Sequence, residues 1–176
     1  MADETLKGIN VNESSESIRW PAEFEPSRCP IHVRNELAAT VPIDRVWAWL
    51  IRAALWPSWY VNSKNVCFLD SPPPDLAPGT RFRWWTFGAT ITSAVCEFNP
   101  EEGRIAWNGH AWGIHVYHAW LIRPTPQGGC HMLTEETQHG LLTRLNKIAH
   151  PTKMSEYHQV WLERLRDNAA SGMPPG

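Results

Sequence analysis

Apolar residues recur at helical spacing in a stretch near the C-terminus, from Pro151 to Ala169. Successive apolar positions lie four, three, four and four residues apart, and charged residues occupy the opposite arc. This spacing is typical of the buried face of one α-helix, here of roughly five turns. One histidine lies within the apolar stripe, and it is either a core histidine with one hydrogen-bond partner or a functional residue that faces a cavity. The stripe consists of Met154, His158, Trp161, Leu165 and Ala169.

Alternating apolar and polar residues predict β-strands in much of the chain before this helix. The first strand covers residues 31–38, and two short helices follow it, one beginning near Pro42 and one near Pro57. Short turns rich in Gly, Pro and Asn separate the later strands, which favours an antiparallel meander. These later strands are predicted at residues 80–87, 89–98, 104–110, 114–123 and 130–138, with a shorter one through 66–68.

The order of these elements indicates an α+β fold. A sheet needs a cover for its apolar face, and the C-terminal helix is the one predicted element long enough to provide it. A curved sheet that grips a helix leaves a space wherever side chains do not fill it, and that space is the expected ligand site. The predicted organisation is an N-terminal arm at 1–28, a domain at 29–170 and a tail at 171–176. The arm is expected to be mobile, with its last third able to drape over the domain.

Composition narrows the possible partners and the cellular setting. A chain of 176 residues fits one domain, and its formal charge of −2 argues against nucleic acid or an anionic membrane as the main partner. Runs of ~20 apolar residues and the apolar centre of a signal peptide are both absent from the sequence, so membrane insertion is not expected. The four cysteines form no C-x-x-C pair, which argues against a zinc or disulfide framework and favours a reducing cytoplasm.

Several short motifs in a fixed order carry a resemblance to a known superfamily. They are Pro42-x3-Val46-Trp47-x2-Leu50, Trp56-Pro57-x-Trp59, Gly79-x2-Phe82-x-Trp84, Val95-x-Glu97-x-Asn99-Pro100, Ile105-Ala106-Trp107-x-Gly109, His118-x-Trp120, Gly128-Gly129, Glu136-x3-Gly140 and Tyr157-His158-x2-Trp161-Leu162-x2-Leu165. Together they make the chain from Ile31 to about Ala170 resemble the SRPBCC superfamily, which includes START lipid-transfer domains, the birch-pollen-allergen fold and polyketide cyclase/dehydrase-like proteins. The resemblance implies the helix-grip fold, a curved antiparallel sheet wrapped around a long C-terminal helix. That superfamily has no universal catalytic residue, so the resemblance implies no mechanism.

His118 and Glu136 are the first candidates for chemistry. If the turn at 124–129 is centred on Gln127, a residue i on one strand faces residue 254 − i on the next, which places His118 opposite Glu136. A carboxylate beside an imidazole in an apolar cavity fixes the ring tautomer and raises its basicity, as acid–base catalysis requires. The alternative is a cross-strand polar pair that only fixes the register. A slip by one residue would place Glu135 opposite His118 instead.

Aromatic and apolar residues are the candidates for the cavity wall, although the same residues could simply fill a core. Five histidines fall between residues 110 and 139, but His115 and His118 point to opposite faces of a strand and no H-x-H or H-E-x-x-H motif is present. No metal site is therefore predicted, and His115, His131 and His139 are expected on the solvent side. The predicted wall residues are Trp84, Trp107, Trp120, Trp161, Val116, Met154 and Leu165.

These observations leave three functional hypotheses. The first is a binding or carrier protein for a small hydrophobic molecule, aromatic or polyketide-like, in a Trp-lined cavity. The second is a cyclase- or dehydratase-type enzyme in which His118, oriented by Glu136, and His158 transfer protons without metal, nucleotide or other cofactor. The third is an interaction module with a vestigial cavity. The oligomeric state is left open, with a homodimer among the options. Titratable groups that converge on the cavity would favour the enzyme over the carrier.

Overall fold

The structure is a computed structural model that describes residues 17–141, 143 and 152–176. Seven antiparallel strands form one curved sheet in the order β1-β7-β6-β5-β4-β3-β2. Strands β2 to β6 each pair with the next strand along the chain, and β1 pairs with β7, so the predicted meander is confirmed. The strands are β1 Ile31–Ala39, β2 Lys64–Phe68, β3 Arg81–Thr86, β4 Ala89–Asn99, β5 Arg104–Ala111, β6 Ile114–Pro124 and β7 Cys130–His139.

Three α-helices have bounds within the described residues, two short and one long. The short helices α1 (Ile43–Ile51) and α2 (Trp56–Trp59) follow β1, as predicted, and 3-10 turns lie at Pro26–Arg28 and Ala53–Leu55. The long helix α3 (Lys153–Ser171) covers the sheet, and its buried residues repeat the predicted apolar stripe from His158 to Ala169. Its predicted start at Pro151 lies outside the described residues. The helix-grip fold is therefore confirmed.

Aromatic side chains fill much of the space between α3 and the sheet. Trp161 is 1% exposed, and its ring lies 4.4 Å from that of Tyr60 in a stacked arrangement and 5.2 Å from the rings of Trp56 and Trp120. Such offset and edge-to-face ring pairs are the favourable aromatic geometries. The core therefore holds α3 against the sheet through a rigid set of indole contacts.

The convex face of the sheet is also covered, by residues 17–28. Ile18 and Phe24 are buried there against a second apolar cluster, and the guanidinium of Arg104 donates to the carbonyl of Ser17 at 2.9 Å. These residues include the last third of the N-terminal arm, which is expected from the sequence to be able to contact the domain. Residues 1–16 lie outside the described residues. Strands β6 and β7 are consequently buried on both faces. The cluster contains Ile18, Phe24, Ala106, Tyr117, Ala119, Leu121 and Leu133.

The chain after α3 is tied to α1. The indole nitrogen of Trp49 donates to the carbonyl of Gly172 at 2.8 Å, and Arg52 donates to the carbonyl of Pro175. Of the helices in the described residues, none has the length and hydropathy of a membrane span.

Candidate functional site

A cavity of about 280 Å³ lies between the first half of α3 and the concave face of the sheet. It is close to the lower end of the size range of small-molecule sites, and its wall is mostly apolar. Strands β3 to β7 supply most of the wall, and α3 supplies the remainder. The lining residues are Trp84, Thr86, Phe87, Gly88, Ala89, Ile91, Ser93, Trp107, Gly109, Ile114, Val116, His118, Glu136, Gln138, Met154 and Trp161.

Gly109 leaves part of this space open. It pairs with Ser93 on β4 and with Val116 on β6, and all three line the cavity. A Cβ atom at position 109 would lie 2.8 Å from Cγ2 of Ile91, so any side chain there would push on the wall. The hollow therefore depends on a glycine in the middle of a strand, where close approach of neighbouring groups is the usual reason for that residue.

Three buried titratable side chains meet at the floor of the cavity. His118 on β6 faces Glu136 on β7, so the predicted register is confirmed. Nδ1 of His118 lies 3.1 Å from Oε2 of Glu136, and Nε2 of His158 on α3 lies 3.3 Å from the same oxygen. His118 and Glu136 line the cavity directly, whereas His158 lies behind Glu136 and is fully buried. The structure thus brings together all three predicted catalytic residues.

Two further side chains complete this polar cluster. Nε2 of His118 lies 2.8 Å from the hydroxyl oxygen of Thr134, and the Gln138 amide donates to Oε1 of Glu136 at 2.5 Å. Thr134 and Gln138 flank Glu136 on the inward face of β7, opposite Trp120 and Val116. The predicted register already paired them with those residues, and strand alternation could have assigned both to the cavity side.

Burial sets the charges of the cluster. Burial lowers the pKa of His118 to about 3, because the loss of hydration of the imidazolium outweighs the attraction of Glu136. Burial alone would raise the pKa of the Glu136 carboxyl, but the close approach of His158, the charge interactions with His118 and His158 and the hydrogen bond from the Gln138 amide hold that pKa below its ordinary value. At neutral pH the cluster therefore contains a neutral His118 and an ionised Glu136. Glu136 raises the pKa of His118, as expected, but desolvation is the larger effect and the net shift of this pKa is downward.

These charges assign the hydrogen bonds of His118. Beside an ionised Glu136, Nδ1 of His118 is the nitrogen that carries the proton, 3.1 Å from Oε2 of the carboxylate. Nε2 of His118 then accepts a hydrogen bond from the Thr134 hydroxyl. Both ring nitrogens are occupied, which leaves the Glu136 carboxylate as the basic group that faces the cavity.

The ring nitrogens of His158 lack well-aligned hydrogen-bond partners among the described residues. The imidazole stacks on His118 with ring centroids 4.8 Å apart and planes inclined by 15°. Its Nε2 is close to Glu136 but lies off the direction that an in-plane N–H requires.

These three residues also have the composition of a metal site. One nitrogen of each histidine and one oxygen of Glu136 lie within 4.8 Å of one another. The lone pairs of imidazole lie in the ring plane, and two stacked rings cannot direct them at one ion. A metal at this site would require rotation of the His158 ring.

The structure places most of the predicted wall residues at the cavity. Trp84, Trp107, Trp161, Val116 and Met154 line it.

The other two predicted wall residues, Trp120 and Leu165, belong to the core and are not among the described residues that line this cavity. Trp120 lies one inward position beyond His118 on β6, with its ring 5.7 Å from the imidazole. Leu165 is fully buried one turn beyond Trp161 on α3. Apolar periodicity predicts burial at such positions, but it cannot tell a packed residue from one at the edge of a hollow.

The turn between β3 and β4 forms one edge of the cavity, and sequence reasoning missed its role. Phe87 in this turn has φ +49° and packs edge-on against the rings of Tyr157 and His158. Asn62 holds the turn in place, because its side chain accepts from the Phe87 amide at 3.0 Å and donates to the Thr86 hydroxyl at 3.1 Å. Aromatic residues at positive φ are uncommon, and a supporting residue such as Asn62 is needed to maintain them.

Comparisons with known proteins agree with this architecture. Residues 30–170 match the family described as polyketide cyclase / dehydrase and lipid transport. A hypothetical protein from Helicobacter pylori, jhp0584, has a similar structure with a TM-score of 0.82 and 31% identity, and the match covers 87% of this chain and 96% of that one. No match was found among the curated proteins.

Two more distant structures share the fold. The di-domain aromatase/cyclase StfQ from the steffimycin biosynthetic pathway has a TM-score of 0.63 and 14% identity, covering 80% of this chain and 51% of that one. Norcoclaurine synthase from Thalictrum flavum, solved in complex with dopamine and hydroxybenzaldehyde, has a TM-score of 0.62 and 11% identity, covering 82% of this chain and 89% of that one. On the family match over residues 30–170, the chain belongs to the polyketide cyclase/dehydrase and lipid transport family of the SRPBCC superfamily.

Proposed function

We propose that the protein binds a small, largely apolar molecule of one or two rings in the cavity between α3 and the sheet. The observation that carries this proposal is a partly enclosed hollow whose wall includes three indole rings, with one polar cluster at its floor. An apolar wall with a few convergent polar groups is the usual composition of a small-molecule site. A volume of about 280 Å³ corresponds to the share of roughly nine water molecules in the liquid, which suits a compact ligand.

The rigidity of the wall supports the same proposal. Trp107 and Trp161 are each 1% exposed, and Trp56 contacts both of them from behind with ring centroids 5.5 and 5.2 Å away. A wall fixed by such packing loses little conformational freedom when a ligand binds, which favours affinity. Family membership and the structural likeness to aromatase/cyclases and to norcoclaurine synthase are compatible with a cyclic ligand.

The proposal is tested by filling the cavity. Val116→Phe adds a ring to the wall opposite Gly109, so it should reduce the affinity for a neutral, environment-sensitive naphthalene dye by at least about tenfold. The same substitution at Val61, which is 67% exposed, is the matched control and should leave dye binding unchanged. Dye fluorescence titrations and thermal melts of both variants give the comparison.

Two outcomes would contradict the proposal. If the wild-type protein does not bind the dye, the cavity is vestigial and the interaction-module hypothesis gains support. If a folded Val116→Phe variant binds it as tightly as the wild type, the ligand lies elsewhere.

A second candidate is proton-transfer chemistry of the cyclase or dehydratase type. It is favoured by the convergence of His118, Glu136 and His158 at the cavity floor, since a carrier needs only walls and one orienting group. In this scheme the Glu136 carboxylate removes a proton next to a ligand carbonyl, and the N–H of His118 holds that carboxylate in position. Ring closure or loss of water would follow from the enolate.

This second function is tested with 1-tetralone in D₂O, where removal and return of an α-proton appears as deuterium incorporation by NMR. The wild-type protein should accelerate exchange, and Glu136→Gln should abolish the acceleration. His118→Asn should reduce it by about 10²-fold or more, the scale of a positioned acid–base group. An exchange rate equal to that of buffer alone would eliminate the enzyme hypothesis for this class of substrate and leave the binding proposal in place.

A further inference from the structure

We infer that the cavity selects a small aromatic amine in its protonated form, with the ammonium group bound to the carboxylate of Glu136. This inference rests on the proposed ligand-binding function and adds the charge of the ligand to it. It follows from the charges around the cavity, the contacts of Glu136 and the chemistry of the wall.

The described residues that line the cavity include one carboxylate and no lysine or arginine. His118, the other ionisable group of the lining, is neutral at pH 7 because of its burial. Within the described part of the chain, the ion-pair contacts of Glu136 are with His118 and His158 alone. Among the described residues, the floor of the cavity therefore carries a negative charge with no lysine or arginine beside it.

A buried carboxylate is stable only if hydrogen bonds and a positive charge replace its water. The Gln138 amide donates a hydrogen bond to Oε1 of Glu136 at 2.5 Å, and Nδ1 of His118 lies 3.1 Å from Oε2. His158 approaches to 3.3 Å but is poorly aligned for a further bond. A ligand ammonium has three donors around one charge, and it can reach Glu136 from the cavity without any ring rotation.

The wall suits the same ligand. Trp84, Trp107 and Trp161 place indole groups around the cavity, and the face of an indole ring attracts a cation more strongly than that of any other aromatic side chain. The same rings pack well against an aromatic body. An anion of similar shape would meet the charge of Glu136 with no cation to balance it, so carboxylate ligands are expected to be rejected.

The test compares three ligands of similar shape at pH 7 by isothermal titration calorimetry. They are 2-phenylethylamine, which is a cation, 2-phenylethanol, which is neutral, and phenylacetate, which is an anion. The wild-type protein should bind the amine at least about tenfold more tightly than the alcohol, and phenylacetate should bind most weakly. Glu136→Gln should remove the preference for the amine while the alcohol keeps its affinity within about threefold.

Glu135→Gln is the matched control. Glu135 is the neighbouring residue on β7, but it points to the convex face, where it pairs with His32 at 2.7 Å and Arg34 at 2.8 Å. The amine preference should survive in this variant. The three-ligand comparison on the wild-type protein decides the matter even if Glu136→Gln does not fold.

The outcomes separate this inference from the function on which it rests. If the wild type binds the amine no better than the alcohol, and the alcohol is lost in Val116→Phe, the cavity proposal stands and the charge selection is wrong. If none of the three ligands binds, the cavity proposal fails as well. Stoichiometric zinc or iron in the purified protein, measured by elemental mass spectrometry, would also overturn the inference, because a metal would then be the cation.

Discussion

At the scale of single residues, the chemistry of the site depends on how burial and pairing compete at His118. Its imidazole is 1% exposed and lies beside one carboxylate and one second imidazole. The carboxylate favours the charged form of the ring, whereas burial opposes it, and burial is the larger effect. Pair geometry alone therefore gives the wrong sign for the shift of this pKa.

Stability should fall as the solution is acidified below about pH 6.5. Unfolded His118 takes up a proton near its ordinary pKa of 6.5, whereas the folded ring does so only near 3, so the unfolded state binds more protons in this window. The free energy of unfolding should lose up to about 1.4 kcal/mol per pH unit from this residue. Glu136, whose pKa is lowered by folding, adds a loss of the same sign below about 4.5, its ordinary pKa.

The measurement is urea denaturation between pH 7 and pH 4.5. His118→Asn should flatten the pH dependence, because the titrating ring is gone. His115→Asn, which removes an exposed ring from the same strand, should leave the slope unchanged. A His118→Asn slope equal to that of the wild type would show that His118 is protonated equally in both states.

Some residues of the site follow from the sequence, and others do not. Turn position and strand alternation are enough to pair His118 with Glu136, because antiparallel partners have a fixed sum of residue numbers. The orientation of the Glu97 side chain cannot be predicted in this way. Glu97 shares the spacing of the inward residues Ile91 and Val95, but a bulge between Val95 and Glu97 turns it to the convex face, where it lies 3.5 Å from Arg19. Bulges add one residue to a strand and leave no pattern in the spacing of apolar residues.

At the scale of secondary-structure elements, the cavity depends on how the hairpin of β3 and β4 is held. Asn62 lies before β3, is 4% exposed and bonds to Tyr60, Thr86 and Phe87. The side-chain amide of Asn62 therefore holds both Tyr60, which stacks on Trp161, and the turn at the edge of the cavity. Sequence patterns predict the hairpin but not its anchor, because the anchor comes from a loop more than twenty residues earlier.

Asn62→Ala should destabilise the protein by about 1–3 kcal/mol, because it leaves buried polar partners without bonds. It should also speed hydrogen exchange of the Phe87 amide and weaken binding of the naphthalene dye. Exchange measured by NMR, with chemical denaturation, provides the check. Asn108→Ala, at an exposed position on β5, is the control and should change neither property. Wild-type exchange at Phe87 in Asn62→Ala would mean that the turn holds its shape without this anchor.

At the scale of the whole molecule, the same buried indole contributes to the core packing and to the cavity wall. Trp161 joins α3 to the sheet and also forms part of the cavity wall. The order of elements and the amphipathic C-terminal helix were enough to predict this arrangement, since only that helix can cover the sheet. The cover on the convex face was harder to anticipate, because residues 17–28 have no regular apolar period and pack through separate side chains such as Ile18 and Phe24.

Trp161→Ala should destabilise the fold by about 3–5 kcal/mol, the usual cost of removing a large buried aromatic side chain. It should also weaken or abolish dye binding in the protein that remains folded. Trp112→Ala removes an indole that is 85% exposed and should affect neither property, which makes it the matched control. Unchanged dye affinity in folded Trp161→Ala would show that this indole is not part of the binding wall.

The central claim is that the hollow between α3 and the sheet holds a ligand. It is tested most directly by a crystal structure of the protein saturated with 2-phenylethylamine. We expect the aromatic ring to lie among Trp84, Trp107 and Trp161, with the amine nitrogen within hydrogen-bond distance of the Glu136 carboxylate. A cavity that contains only ordered water, or one closed by Phe87 and the indole rings with the amine bound elsewhere, would contradict it.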